Sequence, residues 1–186
     1  MKLLTPHPKK FTSETYHKMA ELAIFEEDER LELINGEIIE MSPVGLRHAA
    51  CVKRLNHLLM KKLGDHVIIG VQDPIQLNDN SEPQPDLVLL KIRPDFYALE
   101  HPKPEDILLL IEVADSSIDY DRKIKIPLYA KNRICEVWLV DLNDNCVEIF
   151  QRPYHNYYQN IQKLSSVDSI ILSNFPSVEI KISELF

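Results

Sequence analysis

Two apolar runs of strand length, each holding one acidic residue, dominate the middle of the chain. The first is Pro85-Asp86-Leu87-Val88-Leu89-Leu90 and the second Ile107-Leu108-Leu109-Leu110-Ile111-Glu112-Val113-Ala114. An ionised carboxylate inside such a run is costly unless something pairs with it, because stripping its water in an apolar medium is strongly unfavourable. A divalent cation is one such partner. A lysine is another, and Lys125 follows in the next helical pattern.

The surrounding elements follow from periodicity. Thr12-Ser13-Glu14 opens a helical pattern with Tyr16, Met19, Ala20, Ala23 and Ile24, capped by Thr12 or Ser13. Asn35-Gly36, between Arg30-Leu31-Glu32-Leu33-Ile34 and Glu37-Ile38-Ile39-Glu40-Met41, best accommodates the two positive backbone angles of a type I′ turn, so a β-hairpin is predicted. From Leu46 to Leu63, Ala49, Val52, Leu55, Leu59 and Leu63 step by three and four, giving a helix with one buried face that Gly64 stops. Its other face, with Lys53, Arg54, Lys61 and Lys62, reads as a solvated helix face rather than a phosphate-binding surface. His66 to Val71 and Pro74 to Leu77 read as one strand, broken or bulged at Asp73-Pro74. Lys91 to Asp106 reads as an exposed loop.

Ser116-Ser117 caps a helix from about Ile118 to Lys131, and Pro127 inside it is expected to kink or loosen it. Ile134 to Val140 is a strand, turned at Asn143-Asp144-Asn145 into a partner from Cys146 to Gln151. Further strands are expected at Tyr157 to Leu164 and Val178 to Ile182. Short links predict antiparallel pairing among the first three strands of the sheet, and the helical crossover after Glu112 predicts a parallel fourth. The order helix, three antiparallel strands, helix, strand makes an α/β sandwich around a mixed sheet. An N-terminal helix and hairpin and a C-terminal β extension flank it, in one domain over residues 1–186 with its core at about 30–153.

A chain of 186 residues can bury a real core. Its net charge of -8 tells against an extensive basic nucleic-acid surface, though not against a local groove. Cys51, Cys135 and Cys146 are odd in number and fall into no zinc-binding spacing, so they read as reduced thiols of a cytoplasmic protein. Met1 to Pro8 breaks into prolines before a signal-peptide apolar region could form, and no run approaches membrane-span length.

Taken in order, several local patterns resemble the PD-(D/E)XK nuclease superfamily, also called restriction-endonuclease-like. They are Glu32-Leu33-Ile34-Asn35-Gly36-Glu37-Ile38, His48 at the opening of the next helix, Pro85-Asp86, and Ile111-Glu112-Val113 followed by Ser116-Ser117. Lys125 with Tyr129 and Glu136-Val137-Trp138-Leu139-Val140-Asp141 complete the set. Within the superfamily the chain resembles a bacterial family of small restriction endonucleases of unknown function, over about Arg30 to Pro153. Each pattern alone is weak; the order and spacing make the set specific. There is one departure. A strict D/E-x-K places lysine two residues after Glu112, where Ala114 stands. The resemblance puts the lysine on the following helix at Lys125, with Lys123 as its rival. Glu112 lies roughly 7 Å before the strand's end at ~3.3 Å per residue. Lys125 lies about 10 Å into a helix doubling back at ~1.5 Å per residue, a gap that an extended lysine spans.

The resemblance implies a Mg²⁺-dependent endonuclease acting on DNA. Asp86, Glu112 and the backbone carbonyl of Val113 would hold Mg²⁺, or Mn²⁺ in its place, and the ion would polarise the scissile phosphate and activate a water. Lys125 would orient that water or stabilise developing charge. Glu32 would complete the metal shell, with His48 a supporting or phosphate contact. Homodimerisation is expected from enzymes that pair sites to cut both strands. The alternative is a catalytically silent module of the same fold that binds a protein or nucleic acid, motivated by the acidic net charge and by Ala114. Ordinary structural roles stand beside each assignment. Asp86 could simply begin a strand, Glu112 could form a buried salt bridge with Lys125, His48 could lie at the surface, and Asp121 and Lys125 could form an i,i+4 ion pair. No helix-turn-helix, zinc finger or aromatic-interleaved basic stretch reveals a cleavage specificity.

Overall fold

Asn35 and Gly36 both take positive φ, 50° and 78°, and close the hairpin between β1 (Leu31–Ile34) and β2 (Glu37–Glu40). A side chain at position 36 would be strained in that conformation and would also meet the Lys10 Cβ at 2.7 Å. The computed structural model describes residues 8–26 and 28–186. The N-terminal lead, on which the reading of the signal-peptide region rests, lies largely outside them.

Helix α1 (Ser13–Glu21) is capped by Thr12, whose side chain accepts a hydrogen bond from the Thr15 N–H. It lies on the outside and is tied to β1 by Tyr16, whose hydroxyl donates to the Leu31 carbonyl. Helix α2 (Leu46–Leu63) buries Cys51, Val52, Leu55, Leu59 and Leu63, the stripe its periodicity predicts, and ends at Gly64 with φ 51°. At about 1.5–3 kcal/mol for each large apolar side chain removed from water, this stripe is a major contribution to the docking of the helix.

Six strands form the central sheet in the order β3-β4-β5-β6-β7-β8: β3 (Ile68–Val71), β4 (Leu87–Leu90), β5 (Ile107–Ala114), β6 (Glu136–Asp141), β7 (Cys146–Tyr154) and β8 (Tyr157–Ser165). The first three pair antiparallel and β6 lies parallel to β5; the helical crossover accounts for the parallel pair, whereas residues 72–86 and 91–106, which join the antiparallel strands, are long and do not by their length decide the pairing. The crossover is α3, over residues 118–131. It comprises an α-turn at Ile118–Tyr120, a wide π-turn at Asp121–Lys125 and a final α segment at Ile126–Lys131. Pro127 sits in the first turn of that final segment. Its ring crowds the carbonyl four residues back and it offers no N–H, so the preceding turn opens to i→i+5 bonding, with the Ile126 N–H donating to the Asp121 carbonyl.

Two details depart from the sequence reading. Residues 74–77 do not extend β3. Gln72 takes a φ of 57° and turns the chain out of the sheet, and Ile75 and Leu77 are held instead by turn and loop hydrogen bonds to the Pro83 and Ser81 carbonyls. The tail also contains an additional strand: β9 (Ser169–Leu172) pairs with β10 (Phe175–Lys181) as a separate hairpin.

The sheet separates two cores. On one face α2 and the β9–β10 hairpin cover Leu87, Leu89, Leu109, Ile111 and Trp138. On the other, α3 and Ile34 of the β1–β2 hairpin cover Val88, Leu90, Leu110 and Ala114. Strand alternation places Glu112 on this second face, between Leu110 and Ala114.

Candidate active site

The register of β4 on β5 pairs Leu87 with Ile111, and one step further sets Asp86 opposite Glu112. Directly opposed residues point to the same side of a sheet, so both carboxylates project from the α3 face at the end of β4. They are 8% and 3% exposed. Asp86 is held on both oxygens. Oδ2 accepts from the Val113 N–H at 2.9 Å and contacts His48 Nε2 at 3.0 Å, while Oδ1 accepts from Gln72 Nε2 at 3.0 Å. His48 reaches Asp86 from α2, around the end of the strand.

Lys125 arrives on the π-turn, buried, with its Nζ 3.1 Å from Glu32 Oε2 and 3.2 Å from Glu112 Oε1. Its rival Lys123 points away and pairs with the exposed Asp119 at 3.2 Å. The Asp121–Lys125 ion pair that i,i+4 spacing made available does not form within 4.0 Å among the described residues. Asp121 instead accepts from the Ser117 hydroxyl at 2.6 Å, because the wide turn aims both side chains inward rather than along one face. Tyr129 donates to Glu112 Oε1 at 2.5 Å, so both contacts fall on one oxygen. Among the described residues Oε2 has no hydrogen-bond partner. Glu32, from β1, also accepts from the Gln84 N–H at 3.3 Å.

These groups line a cleft of about 610 Å³, large enough for a nucleotide-sized group. Four buried carboxylates, those of Glu32, Asp86, Glu112 and Asp121, face the Lys125 ammonium and the His48 imidazole, with the half-buried Arg30 guanidinium also lining the cleft. The electrostatics register the surplus. Desolvation, with Asp121 and Asp86 adding to it against Lys125, pushes the Glu112 carboxyl up to about 8. Desolvation likewise raises Asp121. At Asp86 desolvation is overcome by the hydrogen bonds and charge of His48, with Gln72 and the Val113 N–H, and its carboxyl is held below the usual range. The hydrogen bond to Asp86 raises His48 in turn. Burial acts to lower Lys125, but Glu112, Glu32 and Asp121 together outweigh it and the ammonium is raised.

A surplus of buried negative charge with an all-oxygen donor set suits a hard divalent cation. The residues present therefore fit Mg²⁺ or Mn²⁺. A strand residue's N–H and C=O project to the same side, so the Val113 carbonyl shares the edge on which its N–H meets Asp86.

Glu136 and Asp141, the other acidic members of the sequence pattern, belong elsewhere. Glu136 accepts from the Trp138 indole at 2.8 Å and from Gln151 at 3.1 Å. Asp141 accepts from the Asn143 and Asp144 N–H groups in the β6–β7 turn. The sequence reading missed Gln72 as a positioning residue and Asp121 as a member of the cleft. Asp73-Pro74 after Gln72 hinted at the first, since a turn there redirects the preceding side chain; nothing local distinguished the second.

Residues 13–183, almost the whole chain, match the family described as "Uma2: Putative restriction endonuclease". The chain belongs to the Uma2 family. It also shares its fold with the crystal structure of a "putative nuclease belonging to DUF820" from Anabaena variabilis ATCC 29413. Identity is 16% and the TM-score 0.68, over 89% of this chain and 94% of that one. Its architecture is thus restriction-endonuclease-like. No curated protein matches it.

Proposed function

We propose that this protein is a Mg²⁺-dependent endonuclease that hydrolyses phosphodiester bonds of DNA. The observation that carries this reading is the convergence of Asp86 and Glu112 on one face of the sheet with Lys125 entering from α3. Asp86, Glu112 and the Val113 carbonyl would hold the ion, and Glu32 would complete the set. A divalent ion bound there supplies a Lewis acid for the phosphate and a more acidic water.

The chain's own residues do the rest. Lys125 holds a fixed positive charge beside Glu112, where it orients a nucleophilic water and offsets charge growing on the phosphate. His48, Gln72 and the Val113 N–H keep Asp86 ionised and aimed, so that it offers a lone pair without reorganising. Tyr129 aims Glu112 by donating to its Oε1, leaving Oε2 available. A homodimer would bring two clefts to the two strands of a duplex, and sedimentation analysis with and without DNA tests that.

One observation favours a second reading, a catalytically silent binding module: Lys125 already bridges Glu32 and Glu112, so all three are paired without any ion. Two measurements separate them. With Mg²⁺ or Mn²⁺ the purified protein should cut plasmid DNA, and Asp86→Ala and Glu112→Ala should each abolish cutting. Calorimetry should detect Mg²⁺ at millimolar or lower concentration in the wild type only. Cutting that survives both substitutions removes this cleft from consideration, and an absence of Mg²⁺ binding leaves the silent module.

A further inference from the structure

We infer that His17, Glu82 and His101 form a second metal site, distinct from the acidic cleft, which takes a transition-metal ion of the Zn²⁺ class. It would fasten α1 and the loop before β5 to the chain beside β1. The inference does not depend on the cleft being a nuclease.

The three residues come from distant parts of the sequence yet converge. His17 Nε2 lies 2.8 Å from Glu82 Oε1, and His101 Nε2 lies 3.7 Å from the same oxygen. The two imidazoles meet edge to face with centroids 5.7 Å apart, and the three ligand atoms all lie within 4.8 Å of one another. A tetrahedral ion with bonds of about 2.1 Å holds its ligands roughly 3.4 Å apart, so small rotamer adjustments bring this set onto one ion.

Glu82 supplies the independent observation. It is 3% exposed, and among the described residues its Oε2 is buried with no hydrogen-bond partner. A simple His17–Glu82 hydrogen bond accounts for Oε1 and leaves Oε2 unsatisfied, which a buried carboxylate rarely tolerates. An ion between the imidazoles, bound by both carboxylate oxygens or carrying a water that donates to Oε2, satisfies the whole group.

The donor types select the metal. Two imidazole nitrogens and one carboxylate suit Zn²⁺ and its first-row neighbours, with a fourth position for water. The cleft offers oxygens alone and suits Mg²⁺. The two sites therefore differ in hardness, and each ion has its own address.

The ligand backbones are fixed without help from a metal. Glu82 and Leu33 exchange both backbone hydrogen bonds, the Ser13 N–H donates to the Asp79 carbonyl, and the Gln76 N–H donates to the Pro102 carbonyl next to His101. His17 and His101 remain 43% and 39% exposed, which leaves an entry path. Because Leu33 adjoins Glu32, an ion on Glu82 also stiffens the strand that presents Glu32 to the cleft.

Zn²⁺ titration of the metal-stripped full chain by calorimetry, in excess Mg²⁺, tests the site. One Zn²⁺ per chain is expected, with affinity falling roughly tenfold or more in His17→Ala and in His101→Ala and unchanged in Glu112→Gln. Zn²⁺ should also slow amide exchange across residues 13–22 in the wild type and not in either histidine variant. Both histidines are partly exposed, so these variants should fold, and circular dichroism verifies it. An absence of Zn²⁺ binding, binding unaffected by either histidine substitution, or binding lost only in Glu112→Gln overturns the proposal.

Discussion

Lys125 and Lys123 stand two residues apart, yet one is buried between Glu32 and Glu112 and the other is exposed against Asp119. Removing one partner of a buried ion pair costs about 3–5 kcal/mol, whereas an exposed pair contributes at most ~1 kcal/mol. Lys125→Met should therefore lower unfolding midpoints in urea and abolish cleavage, while Lys123→Met should do neither. Equal effects would contradict the assignment. Glu112 makes a second test at this scale. Its carboxyl is raised from 4.5 to about 8 in the fold, so the unfolded chain ionises first. Its contribution to stability is full below about pH 4.5 and is lost as pH rises toward 8. His48 is raised as well and acts in the same direction, whereas Asp86 is lowered and its contribution is lost only on acidification. The difference between wild type and Glu112→Gln isolates the one group. Without divalent ions that difference should grow from pH 4.5 to 8, and Mg²⁺ should shrink it; parallel stability curves would contradict this.

Helix α3 illustrates how an element turns a local defect to use. The π-turn at Asp121–Lys125 inserts an extra residue before Pro127 and rotates both charged side chains into the cleft. Pro127→Ala returns an N–H and removes the ring clash, so the segment can regularise. The expected outcome is a large loss of cleavage because Lys125 leaves its register, with a smaller loss of stability than in Lys125→Met, since the regained N–H and the relieved ring clash offset part of the broken ion pair. Crystallography of the variant would show whether the turn closes. Gln72 plays a comparable part: its positive φ ends β3 and lets its side chain cap Asp86, a strained conformation for a non-glycine residue that the contact to Asp86 holds in place.

Over the whole molecule, the C-terminal hairpin is part of the core rather than an appendage. Ile170, Leu172, Ile180, Ile182 and Leu185 pack with the α2 stripe, and the Leu185 carbonyl accepts from Arg54 at 3.1 Å. Deleting residues 169–186 should expose Leu55 and Leu59 and yield insoluble or molten protein, measured by soluble yield and thermal unfolding. The Arg54 contact, with that of Lys62 to the Glu179 carbonyl at 2.7 Å, also shows that part of the basic face of α2 serves to hold this hairpin.

The hairpin at Asn35-Gly36, the α2 stripe, the strands and the parallel crossover were legible because turn chemistry and periodicity are local properties of the chain. Asp86 and Glu112 stood out for a similar reason: a charge within an apolar run is costly wherever the run is buried. The rest needed three dimensions. The choice of Lys125 over Lys123 depends on a π-turn whose rotation no periodicity encodes, and the recruitment of Asp121 follows from it. The packing of the tail on α2 and the meeting of His17, Glu82 and His101 join residues far apart in sequence, so only the closed chain brings their side chains within reach of one another.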